Sequence, residues 1–212
     1  MGDVYKIDNI TVTKKGRYAL FCGGEFLFSL DEETYLKHHI KVGSEFSGEE
    51  LESLRAASDY FAAKNKALLL LGYRDHSKKE LIDKLKRKFD EKTSELAVEK
   101  MCELSLVDDA EFAKKLCREM IEQKGASKRA AEQKLYEKGV ARDIIETTLS
   151  LYKDDECDAI RMIVEKKYLL KLRDREKRAL VFAALARKGF KASDIKTVLC
   201  EYSENDGEEF NG

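Results

Sequence analysis

The sequence of 212 residues contains no proline and no tryptophan. Because proline fixes φ and removes a backbone donor, a chain without it can form long helices and has no proline-rich linker. The N-terminus lacks the apolar core of a signal peptide, and no apolar run reaches the roughly 18 residues that a membrane helix needs. These absences predict a cytoplasmic protein that has no membrane partner.

Cysteine and histidine are too few and too dispersed to indicate a metal site or a disulfide framework. The three histidines are His38, His39 and His76. The five cysteines are Cys22, Cys102, Cys117, Cys157 and Cys200, and no two have C-x-x-C spacing. We therefore expect reduced, mostly buried thiols, and neither a metal nor a cofactor.

Common catalytic motifs are missing as well. The chain has no G-x-x-x-x-G-K-[ST] loop, no H-E-x-x-H and no G-x-S-x-G. His76 could act as a base and Asp108–Asp109 could form a carboxylate pair, but a loop position and a helix cap explain these residues more simply. We predict that the protein is not an enzyme.

What is present in abundance is charge. Charged residues make up 38% of the chain and hydrophobic residues 43%, with a net charge of −1. Such a charged fraction is high for a compact globule and is typical of a thin helical array with a large solvated surface.

The first 46 residues have the pattern of a small β-rich segment. Short β-branched or aromatic runs separated by glycine turns predict an antiparallel meander, with strands over 4–7, 10–12, 17–21 and 25–28. A short helix is expected from Asp31, which would cap it, to His38. Ser47 and Glu50 then fit a capping box that opens a helix running to Leu71 and closing at Gly72.

From residue 47 onward the pattern is helical and repeats with a period of fifty residues. The stretches SKKELIDKLKRKF, SKRAAEQKLYEKGV and KRALVFAALARKGF align at that spacing. The alignment superimposes Leu85 on Leu135 and Leu185, and Gly139 on Gly189. Self-similarity at a fixed period indicates a repeat architecture.

We therefore predict a mainly α protein with three tandem three-helix repeats, elongated and curved, whose units resemble helix-turn-helix folds. The expected bounds are 47–106, 107–153 and 154–203, followed by an acidic disordered tail over 204–212. First helices are expected to bury Ala67, Leu68 and Leu71 in the first repeat and a stripe that includes Phe112 and Cys117 in the second. Second helices are expected to stop at Lys88–Phe89 or at a Lys-Gly pair.

Basic residues recur with the same period around the second helix of each unit. Residues 64–92 contain ten Lys or Arg against five acids, 124–142 six against two, and 165–191 ten against three. Regular stacking would align Lys78, Lys128 and Arg178 in one row, and Lys88, Lys138 and Lys188 in another. The pattern is typical of a stripe that follows a polyanion, but lysines that only solubilise helix faces would produce it too.

Several of these residues together resemble a known family. Arg74, Ser77, Glu80 and Leu81, followed by Asp-Asp-Ala-Glu-Phe-Ala at 108–113 and Lys-Gly-Val at 138–140, are similar to the RecX regulatory proteins of bacteria. The resemblance covers most of the chain. It implies a regulator that binds the RecA recombinase filament on single-stranded DNA and restrains its ATPase and strand-exchange activities in DNA repair.

The resemblance and the charge pattern together define candidate contacts with DNA or the filament. The expected residues are Arg74, Lys78, Lys84, Lys88, Lys128, Arg129, Lys138, Arg178, Arg187 and Lys188. The expected partners are the RecA filament, single-stranded DNA and, more weakly, duplex DNA, bound by a monomer without a cofactor. Two alternatives remain open, a nucleic-acid-binding module that acts without RecA and an adaptor whose basic residues only keep it soluble.

Overall fold

A computed structural model describes residues 4–153 and 155–204. Over these residues the chain forms five short strands and eleven α-helices, which confirms the mainly α class with a small β-rich N-terminal segment. The chain divides into two compact units, Met1–Val107 and Asp108–Gly212. Glu204 is the last helical residue, so the rest of the predicted tail lies outside the described residues.

The N-terminal segment contains two small antiparallel sheets. The strands are β1 Val4–Lys6, β2 Asn9–Val12, β3 Tyr18–Cys22, β4 Glu25–Leu30 and β5 Glu45–Ser47. The predicted meander is present as β2-β3-β4. The first strand does not join it but pairs with β5, placing Val4 opposite Ser47. Because β5 has only three residues and a partner far away in the sequence, no local pattern indicated it.

Helix caps in this segment follow the sequence signals. Helix α1, Glu32–Lys37, begins after Asp31, whose Oδ1 accepts from the Thr34 amide at 2.9 Å. Helix α2, Gly48–Tyr73, begins with a reciprocal capping box: Ser47 Oγ accepts from the Glu50 amide at 3.2 Å, and Glu50 Oε2 accepts from the Ser47 amide at 2.7 Å. These bonds satisfy amides that the first helical turn leaves unpaired.

Helix α2 does not close at Gly72, as the sequence suggested. It continues to Tyr73, and the backbone becomes extended at Arg74, with φ −169°. Gly72 is not among the residues with a left-handed backbone, so it does not form the glycine cap that was expected.

Three bundles of helices follow, each with its own apolar core. The first combines α2 with α3 Lys78–Leu85 and α4 Glu91–Glu103. The second contains α5 Asp109–Cys117, a π-helical turn Arg118–Gln123, α6 Lys128–Glu137 and α7 Arg142–Leu149. The third contains α8 Glu156–Lys167, α9 Leu169–Leu172, α10 Arg175–Arg187 and α11 Ala192–Glu204.

Core positions repeat as the fifty-residue period predicts. Leu85, Leu135 and Leu185 are each fully buried, in three different bundles. Ile145 and Ile195 are likewise 0% exposed on the third helices of their bundles. Residues fifty positions apart therefore occupy equivalent packing positions in addition to being similar in type.

Some buried positions differ from the prediction. Leu68 is 45% exposed, whereas Ala63 and Ala67 are fully buried, because the core of the first bundle lies on the face of α2 that carries the two alanines. Helix α3 ends at Leu85, three residues before the predicted Lys88. The expectation of mostly buried thiols is also wrong: none of the five cysteines is in a disulfide, but only Cys117 is fully buried and Cys200 is exposed. Burial raises the pKa of the Cys117 thiol to about 11, so it stays protonated.

Candidate functional site

The predicted contact residues lie on or next to the second helix of each bundle. Lys78 and Lys84 are on α3, with Arg74 before it and Lys88 after it. Lys128 and Arg129 are on α6 and Lys138 is its C-cap. Arg178 and Arg187 are on α10, and Lys188 follows it directly. The ten residues thus lie on or beside the second helices, but their surroundings differ.

Arg74 is held within its own loop. Its guanidinium binds both carboxylate oxygens of Glu80, with Nη1–Oε2 at 2.9 Å and Nη2–Oε1 at 2.7 Å, and Nη1 also donates to the Asp75 carbonyl at 2.8 Å. The hydrogen bond to Glu80 raises the pKa of Arg74. Ser77 Oγ accepts from the Glu80 amide at 3.1 Å. The Arg-x-x-Ser-x-x-Glu pattern is therefore a loop clasp between α2 and α3.

His76 lies inside this clasp and is 3% exposed. Its Nδ1 is 2.9 Å from the Arg74 carbonyl oxygen, which can only accept, so Nδ1 carries a proton. Its Nε2 is buried without a hydrogen-bond partner. Burial lowers the pKa of His76, and the imidazole is neutral at pH 7. A buried ring of this kind supports the interpretation of His76 as a loop residue.

Four other candidates donate to backbone carbonyls of their own chain. Lys128 Nζ binds the Tyr152 carbonyl at 2.9 Å, and Arg178 Nε binds the Leu172 carbonyl at 2.7 Å. Arg129 Nε donates to the Gly189 carbonyl at 3.2 Å. Lys188 Nζ donates to the Lys124 carbonyl. These cations satisfy the carbonyls of loops and helix ends, a role that positive charge performs well.

Two of these bonds belong to a junction between the second and third bundles. The C-terminal end of α10 meets the N-terminal end of α6, and the Ser127 amide donates to the Lys188 carbonyl at 2.9 Å. Gly189 has φ +93°, and a β-carbon there would lie 2.6 Å from Ala130 Cβ and 2.7 Å from Ser127 Oγ. Only glycine fits this close backbone approach.

The side chains of the other five candidates differ in how far they are exposed. Lys78, Lys88 and Arg187 are exposed, whereas Lys84 and Lys138 are partly buried. Lys88 Nζ lies 5.3 Å from the ring centroid of Phe89, which leaves the ammonium at the surface.

The acidic residues considered for catalysis are a helix cap. Asp108 Oδ1 accepts from the amides of Ala110 at 2.8 Å and Glu111 at 3.1 Å, at the start of α5. Across residues 4–153 and 155–204, His, Cys, Asp and Glu nowhere gather in groups of three that could hold a metal ion. None of the helices described is both long and apolar enough to cross a bilayer.

A cleft of about 450 Å³ in the second unit was not apparent from the sequence. Its walls carry both signs of charge, including Lys128, Glu156 and Arg161. Glu156 Oε1 accepts from the Lys128 amide at 3.1 Å, and burial raises the pKa of this carboxyl. Arg161 is paired with Asp158 and Glu201 at 2.6 and 2.8 Å. These three charged groups of the walls thus already have partners within the chain.

The fold and these positions define a class: a protein of tandem three-helix bundles in which basic residues cluster at the second helix of each bundle. Sequence models for the RecX first and second three-helix domains match residues 63–101 and 108–149 of the chain. The matched ranges fall within the first two bundles.

Comparison with known proteins gives the particular family. Regulatory protein RecX of Clostridium tetani is 30% identical over 212 residues, covering 96% of this chain and 97% of the relative. Regulatory protein RecX of Staphylococcus aureus strain JH9 is 31% identical over 204 residues, covering 92% and 74%. The chain therefore belongs to the RecX family of regulatory proteins.

Solved structures share the same fold. A crystal structure of regulatory protein RecX aligns with a TM-score of 0.61 and 23% identity, covering 92% of this chain and 98% of that one. RecX from Lactobacillus salivarius aligns with a TM-score of 0.57 and 27% identity over 70% of this chain and 99% of that one.

Proposed function

We propose that this protein is a non-enzymatic regulator that binds the RecA filament on single-stranded DNA and inhibits its ATPase and strand-exchange activities. The observation that carries the proposal is similarity along nearly the whole chain to proteins named regulatory protein RecX. The protein would act as a monomer in the cytoplasm, where RecA works on chromosomal DNA during repair and the SOS response.

The distribution of charge supports contact with such a filament. Each second helix carries at least one candidate cation, and those of Lys78, Lys88 and Arg187 are exposed. A filament presents repeated phosphates and repeated protein surfaces, so several weak contacts from one chain add to a useful affinity. Arg74, Lys128, Arg129, Arg178 and Lys188 bind groups of their own chain, so we expect them to contribute less to the contact.

The direct test is the single-stranded-DNA-dependent ATPase of RecA with the purified protein added below the RecA concentration. We expect inhibition at substoichiometric amounts, because one chain would contact several protomers of a filament. An unchanged ATPase rate up to equimolar protein would refute the proposal.

A charge-reversal variant locates the contacts. Lys78→Glu, Lys88→Glu and Arg187→Glu together should weaken inhibition by about tenfold or more, because three favourable contacts become repulsive. The matched control is Lys14→Glu, Lys15→Glu and Lys41→Glu, three exposed cations of the N-terminal segment. Equal inhibition by both variants would show that the second helices are not the contact surface.

The same reagents separate the alternative of a nucleic-acid-binding module that acts without RecA. Its specific support is the three-helix form of each bundle with basic second helices. That alternative predicts binding to a DNA oligonucleotide that falls steeply with salt and is unaffected by RecA. The adaptor alternative predicts that reversing the three charges leaves DNA affinity unchanged.

A further inference from the structure

A groove on the third bundle combines positive charge with exposed apolar surface. Its volume is about 360 Å³, and it is lined by Tyr168, Lys171, Lys177, Leu180, Ala184 and Arg187. We call it the α10 groove. Leu180 is 67% exposed, although it lies within a helix whose neighbouring Val181 is 2% exposed. An exposed leucine among three cations is a surface suited to an acidic ligand with an apolar side chain.

The cations of the groove are available at its rim. Lys171 is exposed, and its Nζ lies 5.7 Å from the ring centroid of Tyr168. Lys177 pairs with Asp174 at 2.7 Å, and both side chains are substantially exposed, so an anion can compete for this ammonium. Arg187 is exposed at the end of α10. The local charge remains positive after the one internal pair is counted.

The chain itself contains a segment of the matching chemistry. Residues 205–212 read Asn-Asp-Gly-Glu-Glu-Phe-Asn-Gly, with three acids and one phenylalanine and no cation. We call them the tail segment. Asp206, Glu208 and Glu209 complement the three cations, and Phe210 complements the exposed face of Leu180.

The tail segment also begins within reach of the α10 groove. Near the end of α11, Glu201 pairs with Arg161 of α8 at 2.8 Å, and the Tyr202 hydroxyl donates to Glu165 Oε1 at 3.3 Å. Tyr168, at the groove, lies one helical turn beyond Glu165, a distance of about 5 Å. Eight residues span up to about 28 Å when extended.

We propose that the tail segment docks in the α10 groove of its own chain and competes there with polyanions. A tethered ligand has an effective concentration on the order of millimolar, so contacts too weak for a separate peptide are populated within one chain. The docked state would hold down binding of nucleic acid by the third bundle until a polyanion of higher charge density displaces the tail. Docking does not depend on the proposed function, whereas competition rests on the nucleic-acid contact that the proposed function includes.

Zero-length carbodiimide crosslinking of the full chain, read by mass spectrometry, tests docking directly. At low salt we expect amide links from Glu208 or Glu209 to Lys171 or Lys177, and their loss in about 0.5 M salt, where exposed charges are screened. Lys171→Arg with Lys177→Arg is the matched control, because it keeps the charges but removes the reactive amines. Links spread evenly over lysines of the whole chain, or none to these two in the unmodified protein, would overturn docking.

Competition is tested by the affinity for a single-stranded oligothymidylate of about 20 nucleotides, followed by fluorescence anisotropy. Neutralising the tail with Asp206→Asn, Glu208→Gln and Glu209→Gln should tighten binding by about three- to tenfold at low salt. Glu52→Gln, Glu95→Gln and Glu99→Gln make the same change in net charge at exposed positions of the first unit and should have a smaller effect.

The two measurements fail in different ways. Equal affinities for the two neutralised variants would overturn competition even if the crosslinks form. If neither variant nor the unmodified chain binds the oligonucleotide, the proposed nucleic-acid contact and the competition both fail, and the crosslinks still decide whether the tail docks.

Discussion

Lys88 and Lys188 occupy equivalent positions in the fifty-residue repeat, yet their environments are opposite. Lys88 is exposed above the Phe89 ring, whereas Lys188 donates to the Lys124 carbonyl. Burial, and secondarily the positive charge of Lys167, lowers the pKa of Lys188. The residue that follows decides the difference: Phe89 packs on the core of the first bundle, and Gly189 allows α10 to approach α6. A residue type that recurs at the fifty-residue period therefore predicts an equivalent position in the bundle, but it does not predict the same interactions.

The largest expected loss of stability comes from replacing Gly189, the glycine that allows α10 to approach α6. Gly189→Ala adds a left-handed alanine and a clash with Ala130 and Ser127, and should lower the free energy of unfolding by about 3 kcal/mol. Gly16→Ala is the matched control, because Gly16 has φ +72° but no neighbour within 4 Å. The control should lose only about 1 kcal/mol in urea denaturation. If both variants lose the same free energy of unfolding, the junction adjusts to the added methyl group and the predicted clash does not destabilise the protein.

A smaller effect should separate the two lysines themselves. Lys188→Ala removes a hydrogen bond to a carbonyl and should cost about 1 kcal/mol of stability, whereas Lys88→Ala should stay within about 0.5 kcal/mol. For inhibition of RecA the order should reverse, with Lys88→Ala the weaker inhibitor. Thermal denaturation measures the effect of each variant on stability, and the ATPase assay measures its effect on inhibition. If the same variant has the larger effect in both assays, the comparison of the two lysines is wrong.

The subtlest expected effect is a dependence of stability on pH. In the unfolded chain His76 binds a proton near its ordinary pKa of about 6.5, but burial lowers its pKa in the folded chain. The unfolded state then holds more protons, so stability should fall as the pH drops below about 6.5. His76→Gln should remove this part of the slope.

Changing the exposed pair His38 and His39 to Gln is the control and should leave the slope intact. Urea midpoints measured between pH 5 and pH 7.5 provide the comparison. If the pH dependence survives His76→Gln but disappears in the control, it arises from His38 or His39, and the prediction for His76 is wrong.

Much of the fold could be predicted because its signals are local. The capping box of Ser47 and Glu50, the Asp31 cap and the core leucines at fifty-residue spacing depend on neighbours within a few residues or on the repeat. The family resemblance was likewise carried by short motifs and is confirmed by the relatives of similar length.

What the sequence did not indicate depends on contacts between distant residues. Strand β5 exists because β1 pairs with it, and Leu68 is exposed because α2 turns the face with Ala63 and Ala67 toward the core. Charge counts identified Lys128 and Arg178 as surface cations, but not the carbonyls of Tyr152 and Leu172 to which they donate. The α10 groove was missed for a similar reason, because the exposure of Leu180 depends on how α10 packs in the third bundle.

The junction at Gly189 has a consequence for protein engineering. Its central bond joins a backbone amide to a backbone carbonyl, and its tightest contact requires only the absence of a side chain. Two side chains, Arg129 and Lys188, also donate to carbonyls across the junction. A designer could therefore graft the third bundle onto another three-helix module by transferring a serine cap, a small residue three positions later, a terminal glycine and these two cations.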